Sequence, residues 1–445
     1  MKKTFSMGGI HPQDSKIASE VALTTMQTPA RVSISMAQHL GAPATPVVAK
    51  GDKVLVGMVI GEPSGFISGY VHSSVSGTVA AVEPMADIAG NMVPHVTIDV
   101  EGDEWMSQID RIEDIVKEYN FTPEEILAKI KNAGVVGMGG ATFPTHVKLA
   151  PPKDKKAEFL ILNGAECEPY VTADDRLMRE YPRQVVIGAD IMMKALAVHR
   201  CIIAIEENKP EAIAAMTAAA AGYPEITVLK MKKKYPQGGE KQLIDAVTRR
   251  QVPSGALPID TGCVVQNVAT SYAVYEAVLK DKPLFERVMT VTGHCVGEKR
   301  NMWVRIGTPV AEVIASIGGA PEKAAKFISG GPMMGKAIAN LNATTQKGSS
   351  CLLLMTEEET RRRPETPCIR CGKCADACPM GLQPFLLNKL SRIGGQFDAL
   401  EAERIYDCIE CGSCQYTCPA SIQLLDMIRI NKAEVMKILR SRPKK

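Results

Sequence analysis

Two cysteine runs of identical spacing constrain this chain more than any other feature. Each run has the spacing C-x2-C-x2-C-x3-C followed by a proline, and the runs cover residues 368–379 and 408–419. This spacing is typical of proteins that hold two [4Fe–4S] clusters, in which the fourth cysteine of each run binds the other cluster. The predicted ligands therefore form two crossed sets, which are Cys368, Cys371, Cys374 with Cys418, and Cys408, Cys411, Cys414 with Cys378.

Zinc sites and disulfides are the alternatives to clusters. Zinc ribbons use two C-x2-C pairs rather than two runs of four with a closing proline. Disulfide frameworks belong mainly to small secreted chains. The duplicated run therefore favours two [4Fe–4S] clusters, and we expect one-electron transfer because such a cluster cannot carry a hydride.

Composition narrows the class of protein further. A chain of 445 residues suggests two to four domains, and a formal net charge of +3 argues against nucleic acid as the main partner. The N-terminus lacks the apolar core of a signal peptide, and no stretch is apolar enough to span a bilayer. Reduced thiols and oxygen-sensitive clusters indicate the cytosol. Five further cysteines are predicted to be packed thiols, namely Cys167, Cys201, Cys263, Cys295 and Cys351.

The first hundred residues predict an irregular segment followed by a small β domain. Residues 1–40 are expected to be irregular, and His11 in this segment is more typical of a solvated or capping side chain than of a ligand. Strand pairs are predicted at 47–57 and 71–82, and they resemble the barrel-sandwich fold of lipoyl and biotinyl carriers. The connection at 61–70 contains no lysine, so a structural or docking role is predicted rather than carriage.

A glycine-dense loop follows a predicted charged, helical connection at 105–133. Thr122 and Pro123 predict a helix start, as N-cap and first helical residue. The loop then covers residues 134–148. Glycines let the backbone approach a ligand closely, exposed N–H groups bind phosphate, and Lys148 adds a positive charge.

Alternating strands and helices over residues 158–229 predict an α/β domain with a largely parallel sheet. The first strand ends at Asn163 and delivers Glu166 and Glu168 to the carboxyl edge, where open α/β sheets bind ligands. A second glycine turn, residues 235–240, enters a helix, and such helix starts bind anions.

The remaining chain is predicted to hold a small α+β unit, a linker and the cysteine domain. A charged linker spans 357–364, and a basic helical tail starting near Ile422 includes Lys444 and Lys445. The tail could touch anionic lipid or an acidic subunit, or be merely solvated. The α+β unit has predicted strands at 288–292, 303–306, 327–332 and 351–355 and a helix at 309–317.

Taken together, these motifs resemble the RnfC family, the iron–sulfur and flavin subunits of the Rnf complex, which is the membrane-associated ferredoxin:NAD+ oxidoreductase. The middle region is similar to the flavin-bearing, NADH-oxidising subunit of respiratory complex I. The resemblance covers nearly the whole chain and rests on the paired cysteine runs together with residues 8–12, 137–148, 163–169 and 235–240.

The resemblance implies FMN and NAD(H) sites in the middle region. Phe143 would stack on the NADH rings, and Glu168 would face the nicotinamide as the candidate catalytic residue. The other implied FMN-pocket residues are Gly137, Gly139, Gly140 and Lys148 at the phosphate and ribityl chain, Asn163 and Glu166 at the flavin, Tyr235, Gly238 and Glu240 closing the pocket, and Asn267 and Thr270 on a following helix. The sequence departs from the complex I pattern at Met138, Thr142, Ala165 and Gly239.

The resemblance also implies four domains and a set of partners. The expected domains are 1–104 (lipoyl-like), 105–283 (Rossmann-like, FMN/NADH), 284–356 (small, β-grasp-like, of the soluble-ligand-binding type) and 357–445 (α-helical, two-cluster, ferredoxin-like). The chain would lie peripherally on the cytoplasmic face of the membrane, with other Rnf subunits, ferredoxin and NADH as partners and Na+ or H+ translocation coupled to electron transfer.

Two alternative functions remain from the sequence. A cobalamin reductase shares the glycine loop and the clusters, but that family starts close to the glycine loop, whereas over a hundred residues precede it here. A non-catalytic iron–sulfur protein that only connects other subunits is the second alternative.

Overall fold

The structure is a computed structural model that describes residues 3–442. Lys444 and Lys445 of the predicted basic tail lie outside the described residues. The described chain contains four sheets and two all-helical repeats that carry the cysteine runs. No helix in this part of the chain is both long and apolar enough to cross a membrane.

The N-terminal region holds two small antiparallel sheets. Their strand orders are β2-β8-β7-β4 and β3-β5-β6, whereas β1 leaves the region to join a sheet further along the chain. The strands are β1 (Leu23–Thr25), β2 (Arg31–Ser35), β3 (Thr45–Pro46), β4 (Lys53–Val54), β5 (Val59–Glu62), β6 (Val71–His72), β7 (Gly77–Ala86) and β8 (Met92–Val100).

Three predictions for this region were wrong in part. Residues 1–40 are not wholly irregular, because β2 pairs with the distant β8 and places Val32 beside Ile98 in the core. The first strand of the pair predicted at 47–57 lies at Thr45–Pro46 instead. Residues 105–121 are not helical, and helix begins only at Pro123.

Helix α1 (Pro123–Asn132) starts where Thr122 predicts it to start. The Thr122 hydroxyl accepts a 3.2 Å bond from the Glu125 N–H, and the Glu125 carboxylate accepts a 2.7 Å bond from the Thr122 N–H. This reciprocal capping box satisfies two N–H groups that the helix start leaves unpaired. Ile126 and Ile130, one turn apart, bury the inner face.

A four-stranded parallel sheet of order β11-β10-β9-β12 forms the middle of the chain and confirms the α/β prediction. Helix α4 packs on α7 so closely that a Cβ at Gly188 would lie 1.9 Å from the Ser271 carbonyl oxygen, so only glycine fits there. The elements are α2 (Thr145–Lys148), β9 (Phe159–Gly164), α3 (Ala173–Glu180), α4 (Pro182–Leu196), β10 (Cys201–Glu206), α5 (Pro210–Ala220), β11 (Ile226–Met231), α6 (Glu240–Thr248), a 3-10 turn (Pro258–Thr261), β12 (Cys263–Asn267) and α7 (Val268–Leu279).

A six-stranded mixed sheet of order β1-β14-β13-β17-β15-β16 follows. The predicted strands and helix of the α+β unit are confirmed, and β1 adds an edge strand that the sequence did not predict. The elements are β13 (Glu286–Thr292), β14 (Arg300–Arg305), α8 (Val310–Ala315), β15 (Ala324–Ser329), β16 (Lys336–Ala337) and β17 (Cys351–Thr356).

The C-terminal part is helical and internally repeated. The predicted linker starts as a short helix, and the predicted C-terminal helix is confirmed two residues further on. The helices are α9 (Glu357–Thr360), α10 (Lys373–Asp376), α11 (Pro384–Ile393), α12 (Phe397–Ala402), a 3-10 turn (Ile405–Asp407), α13 (Ser413–Tyr416) and α14 (Leu424–Ser441). All thirteen cysteines are free of disulfide bonds.

Candidate functional site: a glycine cradle beside two cysteine loops

The glycine loop between α1 and α2 lies at the carboxyl edge of the parallel sheet. The Gly137 N–H donates a 2.9 Å bond to the Phe143 carbonyl, which closes the loop, and Phe143 is half-buried. The Thr270 hydroxyl accepts a 2.9 Å bond from the Met138 N–H, so the first turn of α7 anchors the loop. A Cβ on Gly139 would lie 2.8 Å from the Asn267 side-chain nitrogen. The loop therefore packs directly on the start of α7.

The tip of this loop is open. Gly139, Gly140 and Ala141 are exposed, and a Cβ on Gly140 would meet no heavy atom within 4 Å. Their backbone N–H groups donate no hydrogen bond within residues 3–442. Such free N–H groups beside a helix start form an anion cradle, so the loop fits the phosphate end of a flavin nucleotide.

Asn163 and Asn267 are adjacent at the ends of β9 and β12. Asn163 donates a 2.8 Å bond to the Gly238 carbonyl, and its oxygen accepts a 3.2 Å bond from the Ala165 N–H. Asn267 caps α7 through the Ala269 N–H at 2.8 Å. The turn at 235–240 is thereby held against the strand ends, as the sequence analysis expected for a ligand crevice.

Lys148 and Glu240 form an ion pair of 2.5 Å between α2 and the first residue of α6. Both side chains are partly exposed. The pair places one cation beside the glycine loop and joins the two glycine turns.

Glu166 is more enclosed than a substrate-facing carboxylate would be. Its oxygens accept bonds of 2.7 and 3.2 Å from the N–H groups of Asp174 and Asp175, which begin α3. Burial raises the pKa of Glu166 to about 8, although the Lys16 ammonium opposes the shift. Glu166 therefore supports the loop that carries Glu168.

Glu168 bridges the α/β region and the mixed sheet. Its carboxylate accepts bonds of 3.0 and 2.7 Å from the N–H groups of Met333 and Met334, in the turn after β15. The pKa of Glu168 is raised to about 7, because the effect of burial exceeds the opposing effect of the two N–H bonds. Glu168 also lines a narrow cavity together with Cys167 and Tyr235.

Tyr235 reaches from the second glycine turn to the cysteine domain. Its buried phenol donates a 2.8 Å bond to the carbonyl oxygen of Cys411. Burial, and after it the Glu168 carboxylate, raises the pKa of this phenol. Ile10 packs beside Tyr235 and Cys411 in a small apolar cluster, so the second glycine turn and one cysteine loop share an apolar boundary.

Several buried charges support the site, and the sequence analysis missed them. The Lys16 ammonium donates to the carbonyls of Glu166, Glu168 and Val171 at 2.5–2.9 Å, and the Lys209 ammonium donates to the Ala165 carbonyl at 2.7 Å. No signal in the sequence marks these lysines, since isolated lysines are usually exposed.

The N-terminal glycine pair is a second feature whose role the sequence analysis did not assign. The Gly9 N–H donates to the Ala377 carbonyl at 3.0 Å, and Ile10 exchanges two backbone bonds with Tyr235. A Cβ on Gly8 would lie 2.4 Å from the Cys378 carbonyl oxygen. The segment with these two glycines therefore connects the second glycine turn to the cysteine domain through backbone hydrogen bonds.

The two cysteine loops repeat the same backbone at an interval of forty residues. Arg370 and Glu410 have φ of 56° and 57°, and Gly372 and Gly412 have φ of 76° and 75°. Each loop then enters a short helix of four residues, α10 or α13. The repeat is therefore structural as well as sequential.

The cysteine thiols converge crosswise between the loops. Burial, and after it the Cys411 and Cys378 thiolates, raises the pKa of Cys408 to about 11. In the other set the corresponding pair is Cys374 and Cys418. Burial and the Cys418 thiolate raise the pKa of Cys374. Cys378 thus approaches the three thiols of the second run, and Cys418 approaches Cys374 of the first. Thiolates from two segments are the donors that a [4Fe–4S] cluster requires, so the residues present fit the chemistry of the group.

The two sets differ in depth. In the set that we call the inner set, Cys378, Cys411 and Cys414 are buried and Cys408 is half-buried. In the outer set, Cys368 and Cys371 are exposed, and Cys374 and Cys418 are half-buried. The inner set is also the one that Tyr235 contacts.

A parallel α/β sheet with a glycine cradle, joined to two crossed four-cysteine loops, defines an iron–sulfur flavoprotein of electron transfer. Family models match residues 3–103 (RnfC barrel sandwich hybrid domain), 130–276 (Nuo51 FMN-binding domain), 288–337 (SLBB domain) and 367–422 (4Fe-4S dicluster domain). The chain thus has a barrel-sandwich, an FMN-binding, an SLBB and a dicluster domain.

Curated relatives match along nearly the full length. The C subunit of the proton-translocating ferredoxin:NAD(+) oxidoreductase complex of Clostridium ljungdahlii is 45% identical over 98% of this chain and 94% of the relative. The C subunit of the Na(+)-translocating ferredoxin:NAD(+) oxidoreductase complex of Acetobacterium woodii is 44% identical over 96% of both chains. The chain belongs to the RnfC family of Rnf-complex subunits.

Solved structures agree on the fold. A chain of the NAD+-reducing [NiFe]-hydrogenase in the air-oxidized state superposes with a TM-score of 0.52 at 19% identity, covering 73% of this chain and 68% of that one. At this identity the likeness concerns the fold alone.

Proposed function

We propose that this chain is a peripheral subunit of an ion-translocating ferredoxin:NAD+ oxidoreductase complex, in which it exchanges a hydride with NAD(H) and single electrons with other subunits. The observation that carries the proposal is the 2.8 Å bond from Tyr235 to Cys411, which joins the second glycine turn to the inner cysteine set. The Lys148–Glu240 ion pair in turn links this turn to the glycine cradle. Bound FMN supplies the step between two-electron and one-electron chemistry, and two [4Fe–4S] clusters supply the one-electron relay.

The glycine cradle binds the phosphate end of FMN in this proposal. The N–H groups of Gly139 and Gly140 donate to phosphate oxygens, Gly137 closes the loop, and Lys148 adds a positive charge. The residues that orient the flavin from the strand ends and helix starts are Asn163, Gly238, Glu240, Asn267 and Thr270. Glu166 lines the same pocket through the loop that carries Glu168.

Phe143 and Glu168 serve the nicotinamide side. The half-buried Phe143 offers a ring for stacking at the mouth of the cradle. Glu168 is held by the Met333 and Met334 N–H groups at one side of the pocket, and its pKa of about 7 lets it change charge near neutral pH. We assign Glu168 as the catalytic residue that faces the nicotinamide.

The inner set, Cys408, Cys411, Cys414 and Cys378, holds the cluster next to the flavin. The outer set, Cys368, Cys371, Cys374 and Cys418, holds the cluster next to partner subunits, because two of its cysteines are exposed. Tyr235 and the apolar cluster around Ile10 exclude water from the boundary between flavin and inner cluster.

The finer architecture belongs to the same proposal. We assign four domains. They are a lipoyl-like domain at 1–104, a Rossmann-like domain at 105–283, a β-grasp-like domain at 284–356 and a ferredoxin-like domain at 357–445. Other subunits of the complex hold the chain at the cytoplasmic face of the membrane, and ferredoxin exchanges electrons through the complex.

Anaerobic titration with NADH tests the proposal. Protein reconstituted with FMN and iron is expected to contain about eight irons per chain, since each cluster holds four, and its flavin absorbance should bleach on addition of NADH. Full flavin and iron content without bleaching would refute the proposed function. The variant Gly222→Ala, at an exposed turn where a Cβ meets no atom within 4 Å, is the matched control for glycine variants of the cradle.

A further inference from the structure

Two fully buried cations lie behind the glycine loop at 134–148. Arg287 lies on β13 and Lys347 in the segment that leads into β17, and each is 1% exposed. Neither forms an ion pair with a carboxylate of residues 3–442, although Asp174 acts on Arg287 from a greater distance. Buried charges are normally paired, because an unpaired charge in the interior is costly. Two such cations behind one loop therefore indicate an anionic ligand on that loop.

Both cations hold the loop by its carbonyl groups. The Lys347 ammonium donates a 2.7 Å bond to the Gly134 carbonyl, where the loop begins. The Arg287 guanidinium donates to the Met138 carbonyl at 3.3 Å, directly before the tip, and to the Lys347 carbonyl at 2.6 Å. The N–H groups of the tip, residues 139–141, donate no hydrogen bond within residues 3–442. The loop therefore presents free donors to a ligand while the two cations support it from behind.

The segment that carries Lys347 also packs on the far end of the loop. A Cβ on Gly348 would lie 2.8 Å from the Thr142 side chain, two residues after the exposed Gly140. The Gln346 N–H donates a 2.9 Å bond to the Ser349 hydroxyl, which closes this segment into a turn. The segment thus contacts the loop on both sides of its tip. Charges act more strongly through a protein interior than through water, so the field of the cations adds to that of the free N–H groups.

We propose that Arg287 and Lys347 are positioning residues that make the cradle select a flavin with a phosphate group over one without it. The proposal deepens the proposed function and rests on it, because it assumes that FMN binds at the cradle. The cations hold the loop so that its tip N–H groups face the phosphate, and their charges balance the phosphate charge. Riboflavin has no phosphate, so it gains nothing from these charges. Flavin selection in this chain therefore depends on the unit that contains β13 and β17.

Proton uptake by the wild-type chain tests the proposal without any substitution. The pKa of Lys347 is lowered to about 7 by burial, so at pH 8 its amine is mostly neutral in the flavin-free chain, whereas a phosphate is a dianion there. A bound phosphate favours the ammonium, so FMN binding should take up at least about half a proton more than riboflavin binding. Calorimetry in two buffers of different ionisation enthalpy measures this difference.

The other titratable groups near the two sites do not produce that difference. Glu166 and Glu168 lie on the flavin side and should respond alike to both flavins, because the two flavins share the ring system. Burial lowers the pKa of His39 and lowers that of His72 to about 3, so these neighbours of Lys347 stay neutral at pH 8. The extra uptake with FMN is therefore assigned to Lys347.

Charge-removing variants supply the second test. The test variants are Arg287→Gln and Lys347→Met, and the matched control is Lys280→Met. Lys280 is also buried, but it donates to the Asp110 carboxylate at 2.7 Å, at the opposite end of α7 from the loop. Fluorescence titration of the full-length, flavin-free chain measures the affinity for FMN and for riboflavin. We expect the ratio of FMN to riboflavin affinity to fall at least about tenfold in each test variant and to stay at the wild-type value in the control.

The result that overturns the proposal is equal loss of FMN and riboflavin affinity in the test variants, because the cations would then only hold the fold. An unchanged affinity ratio, or equal proton uptake with both flavins in wild type, would overturn it as well. So would loss of NADH binding to the flavin-loaded test variants with an unchanged ratio, which would assign the charges to the phosphates of the dinucleotide. If Lys347→Met does not fold, Arg287→Gln and the wild-type uptake decide. Wild type that binds no FMN defeats the proposed function instead.

Discussion

The phenol of Tyr235 donates a 2.8 Å hydrogen bond to the carbonyl oxygen of Cys411. Tyr235→Phe removes this bond and leaves a buried carbonyl without its donor, at a cost of about 1–3 kcal/mol. We expect electron transfer between flavin and clusters to slow more than flavin reduction by NADH, which changes only through the neighbouring Glu168 carboxylate. Stopped-flow spectroscopy that resolves the two steps checks this. Tyr223→Phe is the control, because the Tyr223 phenol makes no hydrogen bond among the described residues. Slowing of both steps alike would contradict the assignment.

Two neighbouring glycines separate packing from cofactor contact. In Gly139→Ala the new Cβ would lie 2.8 Å from the Asn267 side chain. The free energy of unfolding without FMN should therefore fall by about 1–3 kcal/mol, and the affinity for FMN should fall as well. In Gly140→Ala the Cβ meets no atom within 4 Å, so stability should be unchanged. A loss of FMN affinity in Gly140→Ala would then place the cofactor at this loop. Thermal melts without FMN and fluorescence titration with FMN measure the two effects, and unchanged FMN affinity in both variants contradicts the cradle.

Glu168→Gln tests the residue assigned to the nicotinamide side. The amide accepts from only one side, so it cannot receive both the Met333 and Met334 N–H groups as the carboxylate does. We expect NADH-dependent flavin reduction to slow at least about tenfold. The wild-type rate should titrate near pH 7, following the raised pKa of Glu168, and the variant should lose this step.

Glu125→Gln is the control for that experiment, since glutamine also completes a capping box. If Glu168→Gln kept the wild-type rate and its pH profile, Glu168 would be a structural link only.

Lys347 predicts a pH dependence of stability. Its ammonium is buried and donates to the carbonyls of Tyr70 at 2.9 Å and Gly134 at 2.7 Å, which joins three domains. Burial lowers the pKa of Lys347 to about 7, whereas an unfolded lysine titrates near about 10.4. Between these values the unfolded chain binds more protons, so stability should rise as the pH increases from about 7 to about 10.

Lys347→Met should abolish that rise, and the exposed Lys323→Met should retain it. The thermal midpoint measured across this pH range checks the prediction. A rise of equal size in wild type and in Lys347→Met would contradict the buried ammonium as its source.

The alternation of strand and helix from β9 to β11, apart from the short α3, could be predicted because its strands are short apolar runs and α4 and α5 begin at a proline. The strands β1 and β2 could not, since they gain their partners from residues 301–303 and 95–99, far along the chain. The sequence around a strand does not indicate which distant strand it will pair with. The cysteine runs were evident for the opposite reason, because cluster ligands require a fixed spacing within one short loop.

The candidate site shows the same division. The glycines and Asn163 stand in recognisable motifs. Lys209 and Arg287 are buried single cations and Lys16 is a half-buried one, and their burial depends on tertiary packing. Arg287 donates a 2.6 Å bond to the Lys347 carbonyl behind the glycine loop, a contact between residues sixty positions apart. The contacts of Glu168 with the Met333–Met334 turn likewise depend on how two domains pack.

The order of the relay is the central claim, and one experiment tests it directly. Two variants each lose one ligand and with it one cluster, Cys411→Ser in the inner set and Cys371→Ser in the outer set, and the cluster that remains is reduced chemically. NAD+ is then added, and electron paramagnetic resonance follows the remaining cluster. The account predicts that NAD+ oxidises the inner cluster in Cys371→Ser, while the outer cluster of Cys411→Ser stays reduced because its path to the flavin is cut. Oxidation of the outer cluster in Cys411→Ser, with the inner cluster of Cys371→Ser left reduced, would contradict it.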